Sequence, residues 1–305
     1  MTELLEDILK NCVPYTKQGK LANYIPELTK ANPDDFGLCI ITEDNKISKA
    51  GDCEKQFTIQ SVVKPVLLLL ALMDNGIDKV KSYVGVEATG KPFDAINYGA
   101  QELLRENINP MVNMGAIAMC NLIKGDTYGE RFDRLLEFTR KVADNSAIAL
   151  DNSVYLSEKR TGNKNRALAY LLKAYGMIED DVEEVLDCYF KACSIKVTCV
   201  DLARIGLVLA NHGMVPTTGE ELFPARYAKY VNAILMTSGM YDGSGEFAVK
   251  VGVPAKSGVG GGIMAVVPNR MGIGIYSPNL DSKGNSFAGI KALEQISNKL
   301  ELSIF

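Results

Sequence analysis

The stretches of this chain that read as β-structure lie toward its two ends, and a long run of helical pattern separates them. Residues 36–42 are an apolar strand candidate. Asp44-Asn45 supplies turn chemistry, and residues 47–50 make a short return. Near the other end, residues 263–267, a Pro268-Asn269 turn and residues 271–276 read as a second hairpin. From Ser61 to about Ala210 the spacing is largely helical, punctuated at Gly76, Gly90, Asn109-Pro110, Gly125 and Gly176. Residues 200–209 are a clear case, stopped by Asn211-His212-Gly213. An amphipathic helix carrying Leu4, Leu5, Ile8, Leu9 and Cys12 on one face opens the chain, and a helix over 287–300 closes it. A sheet drawing strands from both ends, with helices between, is α+β and cannot be cut into sequential domains. The expectation is one discontinuous unit, with an α/β part at about 1–60 and 225–305 and a helical part at about 61–224. No internal repeat, low-complexity segment or linker interrupts it.

Charge and residue usage exclude several kinds of function. Against 33 Lys and Arg stand 37 Asp and Glu, for a net charge of −4 and a pI near 5.3. Nothing in that balance suggests binding to nucleic acid. One histidine, His212, removes most imidazole-based zinc sites and leaves a Ser-His-Asp triad with a single candidate base. The seven cysteines are odd in number, form no CxxC pair and often sit in apolar runs, so they read as buried free thiols in a reducing compartment. Glu3 and Glu6 lie where a signal peptide wants basic residues, and the longest apolar stretch, 66–73, falls far short of the ~20 residues that span a bilayer. A cytoplasmic location with no membrane partner is expected.

Two features carry chemistry. Ser61-Val62-Val63-Lys64 follows Phe57-Thr58-Ile59-Gln60 and precedes an apolar run. A serine at a helix start with lysine three residues on puts hydroxyl and amine on one face. A lysine held neutral can take the serine proton, and the helix N-terminus favours developing negative charge. The alternative is a capping serine beside a solvated surface lysine. Pro65 removes a backbone donor in or near the first turn. The second feature is Lys256-Ser257-Gly258, running into Val259-Gly260-Gly261-Gly262 and a strand. Its glycines let backbone approach a ligand, with N–H groups free to hold an oxyanion, or they form no more than a loose hairpin. Gly260-x-Gly262-x-x-Ala265 has the spacing of a dinucleotide fingerprint but continues as strand where that motif needs a helix. Serine and lysine early, with a Lys-Ser/Thr-Gly strand late, is the grouping of the penicillin-recognising serine enzymes.

The sequence resembles the serine-dependent glutaminases of the β-lactamase-like fold. The match runs from about Gly19 to Gly289 and is carried by several strings. Among them are Phe57-Thr58-Ile59-Gln60-Ser61, Asn109-Pro110-Met111-Val112-Asn113-Met114-Gly115, Val154-Tyr155-Leu156-Ser157-Glu158 and Thr161-Gly162-Asn163-Lys164-Asn165-Arg166. Tyr189-Phe190-Lys191-Ala192-Cys193-Ser194-Ile195, Met236-Thr237-Ser238-Gly239-Met240-Tyr241-Asp242 and Pro254-Ala255-Lys256-Ser257-Gly258-Val259 continue the series. The resemblance implies an antiparallel sheet flanked by N- and C-terminal helices plus a large helical subdomain. It implies hydrolysis of L-glutamine to L-glutamate and ammonia, with Ser61 as nucleophile, Lys64 as its base and Tyr241 as a proton relay. The backbone N–H groups of Ser61 and Val259 would form the oxyanion hole. Tyr24, Gln60, Asn113, Glu158, Asn165 and Tyr189 fall on substrate-binding positions. A homodimer or homotetramer is implied as well, with no metal or organic cofactor. The set makes chemical sense. A buried α-ammonium needs an anion, which Glu158 offers, while asparagine amides and tyrosine hydroxyls can donate to the α-carboxylate.

Three departures from the family pattern stand out. Val63 precedes the lysine where serine is common, Pro65 follows it, and Phe93-Asp94-Ala95 replaces the usual Phe-Asn-Ser. A β-lactamase or penicillin-binding enzyme is the nearest alternative, but the Ser-Asp-Asn or Tyr-x-Asn element is missing, since Phe190-Lys191 follows Tyr189. A non-catalytic glutamine-binding protein could discard Ser61 or Lys64, and both are present. The acidic run 179–184 reads as charge at a helix N-terminus, His212 as a helix-end residue, and Tyr83, Tyr98 and Tyr128 as packing or turn residues.

Overall fold

The computed structural model describes residues 1–96 and 108–305, so Tyr98 lies outside the described residues. Its main sheet joins β1 (Gly37–Thr42), β2 (Ile47–Gly51), β5 (Ala255–Ser257), β6 (Gly262–Val267) and β7 (Met271–Tyr276) in the order β2-β1-β7-β6-β5. Every pairing is antiparallel. The expected hairpins are both present, and Gly37 pairs with Tyr276 where the two ends of the chain meet. The short β3 (Phe57–Thr58) and β4 (Lys196–Val197) make a separate two-stranded ribbon that the periodicity did not announce.

Alternation along the strands sorts the sheet's two faces. Leu38, Ile40, Ile273 and Ile275 pack with Leu5, Ile8, Leu293 and Ile296 of the terminal helices α1 (Thr2–Cys12) and α11 (Phe287–Leu300). Cys39, Ile41, Met264 and Val266 look the other way, into the larger core shared with the helices. Between the sheet's two halves in sequence come α2 (Lys64–Lys81), α3 (Asn113–Leu122), α4 (Tyr128–Val142), α5 (Asn152–Thr161) and α6 (Asn163–Ala174). These are followed by α7 (Val182–Cys193), α8 (Cys199–Ala210), α9 (Ala225–Ser238) and α10 (Ser244–Lys250).

Helix α8 begins at a Thr198–Asp201 capping box and lies directly on the sheet. Glycine makes this contact possible. A Cβ at Gly272 or Gly274 would stand 2.0 and 1.9 Å from the carbonyls of Ala203 and Cys199, and one at Gly206 would stand 2.7 Å from that of Ala265. Backbone therefore meets backbone at this seam.

Helix α2 carries the apolar run. Leu67, Leu68 and Leu69 are fully buried, and Gly76 interrupts the helix with φ 78°. The span Gln60–Lys81 is long and apolar enough to cross a membrane by length and composition, yet 72% of its most apolar window is buried inside the protein. Pro65 sits in the first turn of α2, where its missing N–H leaves no bond unmade. The acidic run leads into α7, whose N-cap Asp181 accepts from the amides of Glu183 and Glu184. His212 has φ 56° just past α8 and reaches Asn269 Oδ1 at 2.6 Å. All seven cysteines are free and buried.

Candidate active site

Ser61 is placed by the segment before it. Phe57 pairs with Val197 across the β3–β4 ribbon and stacks on Tyr276 at 4.2 Å, and the Ile59 amide donates to Ile195 O at 2.8 Å. The chain then turns sharply. Gln60 has φ 48°, a left-handed conformation that costs a non-glycine residue of order 1–3 kcal/mol. A single 3-10 turn, Gln60–Val63, follows and runs into α2. Ser61 sits in that turn, and Lys64 is the first residue of the helix.

The glycine-rich segment closes over this turn. A Cβ on Gly258 would stand 2.8 Å from Ile59 O, and one on Gly260 would stand 2.7 Å from Thr58 O. Glycine at both positions lets the β5–β6 connection lie against the serine's own backbone and brings Val259 beside it. Among the described residues, neither the Ser61 nor the Val259 amide donates to a protein acceptor, although both residues are buried. Two unengaged N–H groups at a buried serine are what a developing oxyanion requires.

Lys64 is fully buried and donates to Asn113 Oδ1 at 2.8 Å. No hydrogen bond joins it to Ser61. Burial brings its pKa down to about 8, against the opposing pull of neighbouring groups that include Glu158 and Asp94. Its place at the positive end of α2 disfavours the cation further. Asn113 passes its own Nδ2 to Asn165 Oδ1 at 2.9 Å. Glu158 is buried without an ion-pair partner among the described residues, and burial lifts its pKa to about 7, against the lowering effects of the Gln60 side chain and the Lys64 charge. The site therefore holds a lysine shifted toward its neutral form and a carboxyl shifted toward its protonated form.

Tyr241 has φ 54°, and its hydroxyl is buried without a formed hydrogen bond among the described residues. Burial raises its pKa well above the ordinary tyrosine value, and the nearby Ser61 side chain pulls it back. Its ring lies 4.6 Å from that of Phe93 and shares an apolar cluster with Val259. Tyr189 is buried, and burial together with Cys193 and Glu158 keeps it protonated. Tyr24 is 52% exposed, yet its hydroxyl end is turned inward. Burial there, then the Glu158 charge, raises its pKa well above 10. Tyr24, Phe93, Asp94, Asp242 and Val259 line an open cavity of about 830 Å³.

Serine, lysine, the three tyrosines, both asparagines, Gln60 and Glu158 thus belong to one connected environment. Sequence reasoning passed over Phe93, which it noted as part of an altered loop, and Cys193, which senses both Glu158 and Lys64. Lys256 opens the glycine-rich segment in the sequence. Its signal was a lysine in an otherwise apolar run, and it is fully buried.

Comparison with known proteins gives the chain's family. A family model described as Glutaminase matches residues 19–305. The chain is 52% identical over 305 residues, all of both sequences, to "Glutaminase 2" of Clostridium perfringens (strain 13 / Type A). It is 53% identical over 302 residues to a glutaminase of Clostridioides difficile (strain 630), covering 99% of this chain and 98% of that one. Among solved structures, the probable glutaminase ybaS superposes with a TM-score of 0.93 at 35% identity, over 100% of this chain and 99% of the other. The covalent complex of Bacillus subtilis glutaminase YbgJ with 5-oxo-L-norleucine, formed by reaction with 6-diazo-5-oxo-L-norleucine, superposes with a TM-score of 0.91 at 37% identity. That match covers 100% of this chain and 99% of the complex's chain.

Proposed function

The chain belongs to the glutaminase family and hydrolyses glutamine, and we propose that it does so through an acyl-enzyme on Ser61. The observation that carries this reading is the pair of unengaged, buried amides of Ser61 and Val259 at a serine one helical turn from a pKa-lowered lysine. The covalent adduct named for the Bacillus subtilis relative supports a nucleophile in the same fold.

In the proposed course, neutral Lys64 takes the Ser61 proton as Oγ adds to the side-chain amide carbon of glutamine. The two amides stabilise the resulting oxyanion. The proton passes by way of Tyr241 to the departing nitrogen, the C–N bond breaks and ammonia leaves. Water then adds to the ester, giving its proton to the same base. The C–O bond breaks, glutamate is released and the proton returns to Ser61. Because Lys64 bonds to Asn113, a neutral amine keeps its lone pair for the serine.

Glu158 pairs with the α-ammonium, and Gln60 steadies that carboxylate. Asn113, Asn165, Tyr24 and Tyr189 donate to the α-carboxylate without adding charge. A site with this much buried polarity rejects substrates lacking either head group, since its own groups would be left unpaired. The catalytic unit is the whole chain, with an α/β part at about 1–60 and 225–305 and a helical part at about 61–224. Family membership further carries the proposal of a homodimer or homotetramer, which sedimentation tests.

The deciding experiment measures ammonia and glutamate release from L-glutamine by the wild type and Ser61→Ala, with L-asparagine and a chromogenic cephalosporin alongside. Glutamine turnover that disappears in the variant is expected. Turnover that survives the loss of Ser61 removes it as nucleophile, and cephalosporin hydrolysis would reassign the substrate.

A further inference from the structure

Lys256 lies in β5, fully buried, with no carboxylate partner among the described residues. Burial, with the Lys64 charge adding to it, pushes its pKa well below the ordinary lysine value. A lysine is costly in such a place unless its surroundings are shaped around it. Here they are. Nζ donates to Gly239 O at 3.0 Å and to Ser257 O at 2.7 Å, and it stands 4.3 Å from the centroid of the Tyr241 ring.

These contacts join two segments that both reach the serine. Gly239 and Tyr241 follow α9, while Ser257 leads within two residues to Val259. The segments also touch through backbone. The Ser257 amide donates to Gly239 O at 3.2 Å, and a Cβ on Gly239 would stand 1.8 Å from Ala255 O. Tyr241 holds a left-handed backbone that an L-residue keeps only where its surroundings enforce it.

We propose that Lys256 is a positioning residue for glutamine hydrolysis, one that pins the Tyr241 segment to β5 so that phenol and oxyanion-hole turn keep a single spacing around Ser61. The proposal rests on the reading of Ser61 as nucleophile and Tyr241 as proton relay. None of the Lys256 partners is a residue assigned to the substrate's head groups. Its loss therefore acts on turnover and leaves affinity nearly intact.

The test is a double-mutant cycle in the full-length chain. Lys256→Met keeps the methylene stem and removes the donors. It is expected to lower kcat by about 10²-fold, with KM within about threefold of wild type. In a Tyr241→Phe background the same change is expected to cost markedly less than in the wild type, because the part of its effect that passes through the phenol is already gone. Labelling by 6-diazo-5-oxo-L-norleucine, followed by intact mass, is expected to slow in step with kcat. Lys256→Gln, which retains two N–H donors, is expected to recover part of the loss. Should the methionine variant fail to fold, the glutamine variant takes its place in the cycle. An unchanged kcat, a change confined to KM, or losses that multiply in the double variant would overturn the proposal. Turnover by Ser61→Ala would instead overturn the reading beneath it, so the two failures are told apart.

Discussion

Lys64 Nζ donates to Asn113 Oδ1 at 2.8 Å, and that amide's other end is committed to Asn165 at 2.9 Å. One asparagine thus orients the proposed base while lying among the groups proposed to bind substrate. The backbone of the same residue ties down Phe93, whose carbonyl accepts from the Asn113 amide at 2.9 Å. Base, substrate head-group site and the aromatic neighbour of Tyr241 share a single point of support.

Asn113→Asp would set a carboxylate against the amine and raise the Lys64 pKa above its present value of about 8. The alkaline-rising limb of kcat should move up by about 1–3 pH units, with a loss of at least about tenfold near neutrality. A pH–rate series on the variant decides it, and a limb that stays where the wild type has it refutes the assignment of Lys64 as base.

The wild-type profile has a defined sign. Lys64, lowered to about 8, becomes a competent base as pH rises, and Glu158, raised to about 7, becomes a carboxylate in the same direction. Activity as kcat/KM should therefore climb between about pH 6 and 9, more steeply at the lower end where two protons must leave. Initial rates at low substrate test this. A flat profile is incompatible with either group acting.

Glu158→Gln should weaken substrate binding and stabilise the empty protein. Glu158 is buried and its folded pKa of about 7 exceeds the ordinary 4.5, so folding favours its protonated form. The stability linked to that proton is present below the unfolded pKa and is lost as pH rises through about 7. Glutamine needs no such proton, and the variant should gain about 1–3 kcal/mol at pH 8 with little gain at pH 4. Thermal melts at both pH values, beside KM, make the comparison. A melt unchanged at pH 8 would show that Glu158 is not desolvated in the folded state.

Gly258→Ala places a methyl 2.8 Å from Ile59 O and 3.1 Å from a Val62 methyl, which must push the β5–β6 turn away from Ser61. The protein should still fold while kcat drops about 10- to 10³-fold, the range seen when an oxyanion donor is misplaced. Steady-state kinetics with a circular dichroism spectrum test it. Full activity would mean that the turn does not hold the oxyanion.

Much of this architecture was legible because its signals are local. Asp44-Asn45 and Pro268-Asn269 mark turns, short continuous apolar runs mark β1, β6 and β7, and Asn211-His212-Gly213 ends α8. Ser61-x-x-Lys64 and the strings around Asn113, Glu158 and Tyr241 pointed to the site through resemblance. The β3–β4 ribbon was not legible, since two residues per strand leave no period to read. The burial of Lys256 was hidden too, because lysine is ordinarily a surface residue and its partners here are backbone carbonyls from a distant segment. Nor could spacing reveal that Lys64 turns to Asn113, 49 residues away. Such contacts exist only once the chain has closed.

The glycine-to-backbone seam between α8 and β7 bears on how the molecule opens. Side chains can loosen by changing rotamer, a little at a time, but two backbones in direct contact have no such slack. This junction should separate as a whole or not at all. Amide exchange in α8 and β7 is then expected to share one protection level, making the seam a cooperative unit of unfolding.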